Sequence, residues 1–181
     1  MTHADNNTVP IPGPRNIEWI GDAKTGYLRL LDQTVLPNEV AYLDCKDVQS
    51  VWDAIKRLSV RGAPAIGVAA AFGCVIAAQQ GSFEELADRL ATSRPTAVNL
   101  FWAIDRMKRV TQRTPEALLD EAKIIHAQDA AMCQRIGEHA LALIDQLLTR
   151  SLTPDPTTLL QHAHRLRHDL RPQWERRGRC G

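Results

Sequence analysis

The chain has 181 residues, of which 44% are hydrophobic and 24% charged. This length favours one domain, or one domain and part of another, and the composition excludes a disordered or collagen-like polymer. The net charge of +1 excludes a chain that is polycationic throughout for binding nucleic acid.

The amino-terminal segment, residues 1–14, is polar and contains three prolines. It has no apolar block of the kind found in secretory signals, so we predict a flexible arm and a cytoplasmic protein. Three short strands are predicted next, at residues 17–20, 27–31 and 39–43, with glycine and proline turns between them. The pattern indicates a small antiparallel sheet.

Helical periodicity begins after Asp47, which we predict as the N-cap of a helix that stops near residues 59–62. The following helix is predicted to begin with Pro64 as its first residue and to be central and buried, because residues 65–78 are small and apolar. This uncharged run, counted from residue 63, has 16 residues, fewer than the roughly 20 that cross a bilayer. We therefore expect no membrane span.

Three more helices are predicted. Ser82 and Glu85 have the spacing of a capping box, and the helix they open should end before Arg94. Another helix is expected over residues 97–112, capped by Thr96. The last begins after the N-cap Thr114 and extends to about residue 148, so it either spans the domain or offers a face to a partner subunit. Together these elements predict an α+β fold, mostly α, with a small antiparallel sheet followed by a helical bundle.

Side chains that often bind metals are widely scattered. Four cysteines lie at positions 45, 74, 133 and 180 without a CxxC pair, so we predict neither a disulfide framework nor a zinc site. His126 and His139 are 13 residues apart, which is not the spacing of a helical metal pair. We interpret these histidines as surface or packing residues, and Trp19, Trp52 and Trp102 as core residues.

The first candidate site is the segment Arg61-Gly62-Ala63, directly before the predicted central helix. Free backbone N–H groups and the positive end of the helix dipole gather at such a position, which suits a phosphate. A plain turn between helices with a solvated arginine explains the same spacing. The residues alone leave both interpretations open.

The second candidate is Arg94, held between a helix end and Pro95. A rigidly placed guanidinium is suited to bidentate recognition of phosphate or carboxylate. The alternative is that Arg94 only opposes the dipole of the preceding helix. Here too the spacing does not decide.

The stretches LLDQTVLP (residues 30–37), VRGAPAIGVAAAFG (60–73) and SRPTAVNLFWA (93–103) together resemble the S-methyl-5-thioribose-1-phosphate isomerase family. That family acts in methionine salvage and is related to regulatory subunits of a translation-initiation exchange factor. The resemblance covers about residues 15–155. It implies an amino-terminal isomerase-like domain at residues 15–150 and, in the intact family, a homodimer.

For the site, the resemblance implies that Arg61, Gly62 and Ala63 match the substrate-binding loop and that Arg94 matches a second substrate arginine. The implied reaction converts 5-methylthioribose 1-phosphate into 5-methylthioribulose 1-phosphate with no cofactor and no metal. The catalytic cysteine and aspartate of the family belong to a Rossmann-like second domain, which we expect to be missing from this chain.

At the end of the chain, residues 151–181, we expect a departure from the family pattern that begins at about residue 160. After residue 155 there are six arginines and two acidic residues, against 16 basic and 19 acidic residues before it. We interpret this part as a linker and a basic tail from a frameshift or gene truncation. It has almost no aromatic residues between the cations, so no nucleic-acid binding is predicted. A noncatalytic module that binds phosphosugars or nucleotides, or that assembles with partners, remains the alternative function.

Overall fold

A computed structural model describes residues 15–151, and side chains up to residue 147. The predicted arm and the basic tail lie outside the described residues. The chain divides into two compact units between Ala130 and Ala131. The first contains all three strands and four complete helices, and the described part of the second is helical. The elements are β1 (Ile17–Ile20), β2 (Tyr27–Leu31), β3 (Tyr42–Cys45), α1 (Val48–Lys56), α2 (Ala63–Gln79), α3 (Phe83–Ala91), α4 (Val98–Lys108) and α5 (Pro115–Ser151).

The sheet is antiparallel with the strands in chain order, β1-β2-β3. Its first two strands confirm the prediction, whereas the third begins at Tyr42 and not at residue 39. The reason is a turn: the backbone N–H of Glu39 donates to the oxygen of Val35, which keeps this part of the chain out of the sheet. Leu28 and Leu30 of the central strand are fully buried and face the helices.

Helix starts agree only partly with the predictions. Asp47 is the N-cap of α1 and accepts from the backbone N–H of Ser50 at 2.7 Å, while the Ser50 side chain completes a capping box. The capping box predicted at Ser82 is wrong. Its backbone, with ψ 53°, lies outside the extended region typical of a capping residue, and its side chain caps nothing. The N-cap of α4 is Ala97 and not Thr96.

The helix α2 is the centre of the bundle, as predicted. Twelve of its 17 residues are buried, and most of them are small. Because Gly62 is the N-cap, Pro64 is the second residue of the helix, where its missing N–H is still harmless. Gly73 lets α3 approach closely: a Cβ atom there would lie 2.9 Å from Leu90 Cδ1.

The long helix α5 confirms its predicted start, since the backbone N–H of Ala117 donates to the Thr114 hydroxyl at 3.3 Å. Its first apolar positions, Leu118, Ala122 and Ile125, are buried in the first unit. In the second unit, five large apolar side chains before residue 147 are exposed. These are Met132, Ile136, Leu141, Leu143 and Ile144.

Aromatic residues divide between core and surface. Trp19 and Trp52 are partly buried against the core, as predicted, and Trp19 stacks on Phe72 with ring centroids 5.7 Å apart. The prediction for Trp102 is wrong, since half of its surface is exposed. Trp102 lies on the outer side of α4, where the Arg106 guanidinium covers its ring at 5.4 Å. The described strands and helices confirm the predicted fold class, which is α+β and mostly α.

Candidate phosphate site at the helix starts

The loop after β2 lies against the segment that precedes α2. The backbone N–H of Gln33 donates to the oxygen of Ser59 at 3.0 Å. This bond joins two stretches that are 26 residues apart in sequence. The LLDQTVLP stretch is therefore directly beside the segment that carries Arg61.

The third stretch reaches the same place through the start of α4. Gly67, in the second turn of α2, lies so close to Asn99 that an added Cβ atom would be 2.8 Å from the Asn99 oxygen. Asn99 is the second residue of α4. The second turn of α2 is thus in direct contact with the first turn of α4.

Ion pairs fix the direction in which α4 runs. Near its end, the Lys108 ammonium is 2.6 Å from the Asp88 carboxylate of α3, and also pairs with Glu84 in the first turn of α3. The start of α3 follows the end of α2 after only three residues. Both α2 and α4 therefore run from the same end of the bundle, and their amino termini lie on the same side.

Neither helix start is capped by a side chain. Gly62 and Ala97 are the N-caps of α2 and α4, and neither has a side-chain oxygen that could accept from the first-turn N–H groups. A helix amino terminus concentrates partial positive charge, and two of them on one side add their effects. The chemistry of this surface favours an anion.

The two arginines predicted for the site differ in setting. Arg61 is exposed, and its Nε donates to the Leu58 oxygen at 3.2 Å. Arg94 is half-buried, and within residues 15–151 its guanidinium has neither a hydrogen-bond nor an ion-pair partner. By contrast, Arg29 makes two hydrogen bonds to the Asp44 carboxylate, at 2.7 and 2.9 Å. Arg61 and Arg94 thus keep donors for an anion.

The backbone at Gly62 also suits an anion at the start of α2. Gly62 has φ 92°, in the region that favours glycine, and apart from its chain neighbours no described residue has an atom within 4 Å of the position its Cβ would take. Gly62 and Ala63 are both exposed. A ligand can therefore approach the backbone at the start of α2 from open solvent.

One residue near the site was missed by the sequence analysis. Asp32 follows the last residue of β2 and is only 8% exposed, and its carboxylate accepts from the backbone N–H and the hydroxyl of Thr34 at 3.0 and 2.7 Å. The Thr34 hydroxyl is the main cause that holds the pKa of Asp32 below its ordinary value, although burial opposes this. An aspartate two residues before a threonine is the sequence signal of such a turn.

The side chains that often bind metals do not gather. Among residues 15–151 no group of three or more His, Cys, Asp or Glu side chains could hold a metal ion. His126 packs edge-on against Phe72, with ring centroids 6.0 Å apart, which confirms the packing interpretation. Cys45 and Cys74 are buried, and burial raises the pKa of their thiols to about 11 and about 12. Among the described residues, no helix combines the length and the hydropathy of a membrane-spanning segment.

Comparison with known proteins identifies relatives. A 5-deoxyribose 1-phosphate isomerase of Bacillus cereus is 47% identical over 145 residues, which cover 70% of this chain and 41% of that protein. A methylthioribose-1-phosphate isomerase of another B. cereus strain is 42% identical over 155 residues, covering 75% and 43%. The chain thus spans less than half the length of these relatives.

A solved structure and a family profile also match this chain. The translation initiation factor eIF-2B, subunit delta, from A. fulgidus superposes with a TM-score of 0.58 at 35% identity, covering 65% of this chain and 38% of that one. Residues 59–171 match the profile of the initiation factor 2 subunit family. This match includes more than half of the chain and both helix starts of the candidate site. The chain belongs to the initiation factor 2 subunit family.

Proposed function

We propose that residues 15–150 are the phosphate-binding, amino-terminal domain of a sugar 1-phosphate isomerase, and that 5-methylthioribose 1-phosphate is its substrate. Arg61, Gly62, Ala63 and Arg94 bind the phosphate in this proposal. The observation that supports it most is the contact between Gly67 and Asn99, which brings two uncapped helix starts together. Arg61 and Arg94 precede these two starts, and neither has an acidic partner within the described residues. The names of the relatives supply the sugar, a ribose phosphorylated at C1 and altered at C5.

The reaction needs more than a bound phosphate. A phosphate on the anomeric carbon blocks easy opening of the ring, so the ring oxygen must be protonated and a hydrogen moved from C2 to C1. Arginines remain protonated near neutral pH and cannot do this acid–base work. We propose that Arg61 and Arg94 hold and orient the phosphate, and that the acid and base lie outside residues 15–151. Binding by this chain is then expected without efficient turnover.

Titration calorimetry with 5-methylthioribose 1-phosphate tests the binding claim. Removal of a charge-assisted hydrogen bond costs about 1.5–3 kcal/mol, so Arg61→Ala should weaken binding about 10- to 100-fold. Arg109→Ala is the matched control, because Arg109 is an exposed arginine at the opposite end of α4. Equal affinities in all three proteins, or no binding by the wild type, would contradict the proposal.

A turnover assay on the same protein tests the second claim. The wild-type chain should bind the sugar phosphate and leave it unchanged, as measured by the ketose signal in carbon-13 NMR. Rapid formation of the ketose would show that the acid and base are present in this chain. The proposal that the acid and base lie outside residues 15–151 would then be wrong, while the proposed phosphate site would remain valid.

A noncatalytic assembly module is the second candidate function. The structural match to an initiation-factor subunit favours it, together with the exposed apolar residues of α5 in the second unit. Exposed apolar side chains in such number on one helix are typical of an interface. Light scattering separates the two functions: a module that assembles without affinity for the sugar phosphate would replace the isomerase proposal.

A further inference from the structure

We propose that Asp32 is a positioning residue for the phosphate site, which acts through residues 57–61 on the orientation of Arg61. This inference rests on the proposed function for its ligand, and it assigns a role to a residue outside the four predicted ones. Asp32 does not reach the ligand in this account. It fixes the segment from which Arg61 extends.

The first step is the burial of a charged side chain. Asp32 is 8% exposed, and a carboxylate so deep in the protein is costly unless hydrogen bonds compensate. Two of these bonds come from Thr34, one from its backbone and one from its hydroxyl. They close a tight turn directly after β2, with Gln33 at its centre.

The second step joins this turn to the segment before α2. The N–H of Gln33, inside the turn, donates to the oxygen of Ser59. Ser59 is completely buried, and its hydroxyl makes no hydrogen bond of standard geometry within the described part of the chain. The Ser59 hydroxyl nevertheless lowers the pKa of Asp32, and so does the charge of Arg57. Each of them contributes less than Thr34 does. The hydrogen bond from Gln33 therefore joins the Asp32 turn to Ser59, the residue that follows Leu58.

The third step leads from this segment to Arg61. Leu58 has φ 65°, a strained conformation for a residue with a branched side chain, and its oxygen accepts from Arg61 Nε at 3.2 Å. Strain of this kind persists only where the surrounding structure holds it. The Asp32 turn supplies such a hold on Ser59, the residue that follows Leu58, through the Gln33 N–H. Loss of Asp32 should release Leu58 and with it the hydrogen bond that orients Arg61.

The test compares two aspartates that form similar turns. Asp22, in the β1–β2 connection, accepts from the N–H groups of Lys24 and Thr25 and from the Thr25 hydroxyl, so these partners of its carboxylate lie within its own turn. Asp32→Ala should weaken binding of 5-methylthioribose 1-phosphate about tenfold, within the range of coupling for residues of one hydrogen-bond network. Asp22→Ala should leave it unchanged. Asp32→Asn keeps an oxygen for Thr34 and should restore part of the affinity.

A second readout does not need the ligand. Nitrogen-15 NMR measures how fast the Arg61 Nε–H exchanges with water, and this exchange should accelerate in Asp32→Ala but not in Asp22→Ala. If the wild type binds no sugar phosphate, the proposed function fails and the exchange rates still decide the role of Asp32. If Asp32→Ala does not fold, Asp32→Asn and Thr34→Val carry the comparison. If the Arg61 Nε–H exchanges with water at the wild-type rate in the folded Asp32 variants, the inference is overturned.

Discussion

The distance between Gly67 and Asn99 determines how closely the two helix starts approach. A Cβ atom on Gly67 would lie 2.8 Å from the backbone oxygen of Asn99, a separation that real Cβ atoms essentially never show. The obstacle is backbone, which cannot rotate away as a side chain can. A glycine at this position therefore allows α2 and α4 to begin side by side, and the candidate phosphate site is built on that arrangement.

Gly67→Ala should push the two helix starts apart. Overpacking of a buried contact costs about 1–3 kcal/mol, which urea unfolding would measure as a lower midpoint. Gly137→Ala is the control, since Gly137 is also helical but has open space around its Cβ position. Exchange of an exposed helical glycine for alanine is expected to stabilise by about 0.5–1 kcal/mol. Equal stability of the two variants would contradict the close approach of α2 and α4.

Two glycines with positive φ allow the loss of stability from backbone strain to be separated from the loss of phosphate binding. Gly62 has φ 92° and Gly81 has φ 79°, and in the part of the chain that the structure describes only their sequence neighbours come within 4 Å of either Cβ position. Alanine at either position should destabilise the protein by about 1 kcal/mol through backbone strain alone. Only Gly62→Ala should also weaken binding of inorganic phosphate. A similar loss of phosphate binding in Gly81→Ala would count against a site at the start of α2.

Substitutions at the N-caps of α1 and α3 measure how much a side-chain capping hydrogen bond contributes to the free energy of unfolding. Asp47→Ala removes a capping box and should cost about 1 kcal/mol. Ser82→Ala should change the free energy of unfolding little, since the Ser82 side chain makes no capping hydrogen bond. Thermal or urea unfolding of both variants provides the measurement. A larger loss in Ser82→Ala than in Asp47→Ala would contradict the observed caps.

The thiols should differ in reactivity. Burial raises the pKa of Cys45 to about 11 and of Cys74 to about 12, whereas Cys133 is exposed. At pH 8 a thiol reagent followed by peptide mapping should therefore label Cys133 and spare Cys45 and Cys74 until the protein is unfolded. Early labelling of Cys74 would show that α2 is not buried as described.

The raised pKa values of Cys45 and Cys74 also predict that the protein loses stability at alkaline pH. A raised pKa in the folded state means that the folded protein binds more protons than the unfolded chain between the two pKa values. The stabilisation from the two neutral thiols is complete below their ordinary value of 9.0, and it is lost as pH rises towards about 11 and about 12. The free energy of unfolding should fall above pH 9, and Cys74→Ala should reduce that slope.

Periodicity and turn residues predicted most of the fold. The strands at residues 17–20 and 27–31, the N-cap Asp47 and the buried helix α2 are local features, each specified by residues adjacent in sequence. The start of β3 and the missing cap at Ser82 were not predictable in this way. They depend on backbone angles that the turn around Glu39 and the packing of α3 impose.

The candidate site was partly visible in the sequence. Arg61, Gly62, Ala63 and Arg94 stand out as cations and small residues next to helix starts, and their functional assignment stays a prediction. The contact of Gly67 with Asn99, 32 residues apart, and the role of Asp32 require the tertiary structure. Spacing along a helix gives no information about which helix start lies beside it.

A double-mutant cycle on Arg61 and Arg94 tests the central claim most directly. The affinity for 5-methylthioribose 1-phosphate is measured by calorimetry in the wild type, Arg61→Ala, Arg94→Ala and the double variant. If both guanidinium groups hold one phosphate, each single variant loses about 10- to 100-fold in affinity. The double variant then loses clearly less than the product, since the two residues share a ligand. Losses that simply multiply, or wild-type affinity in either single variant, would contradict a shared phosphate site.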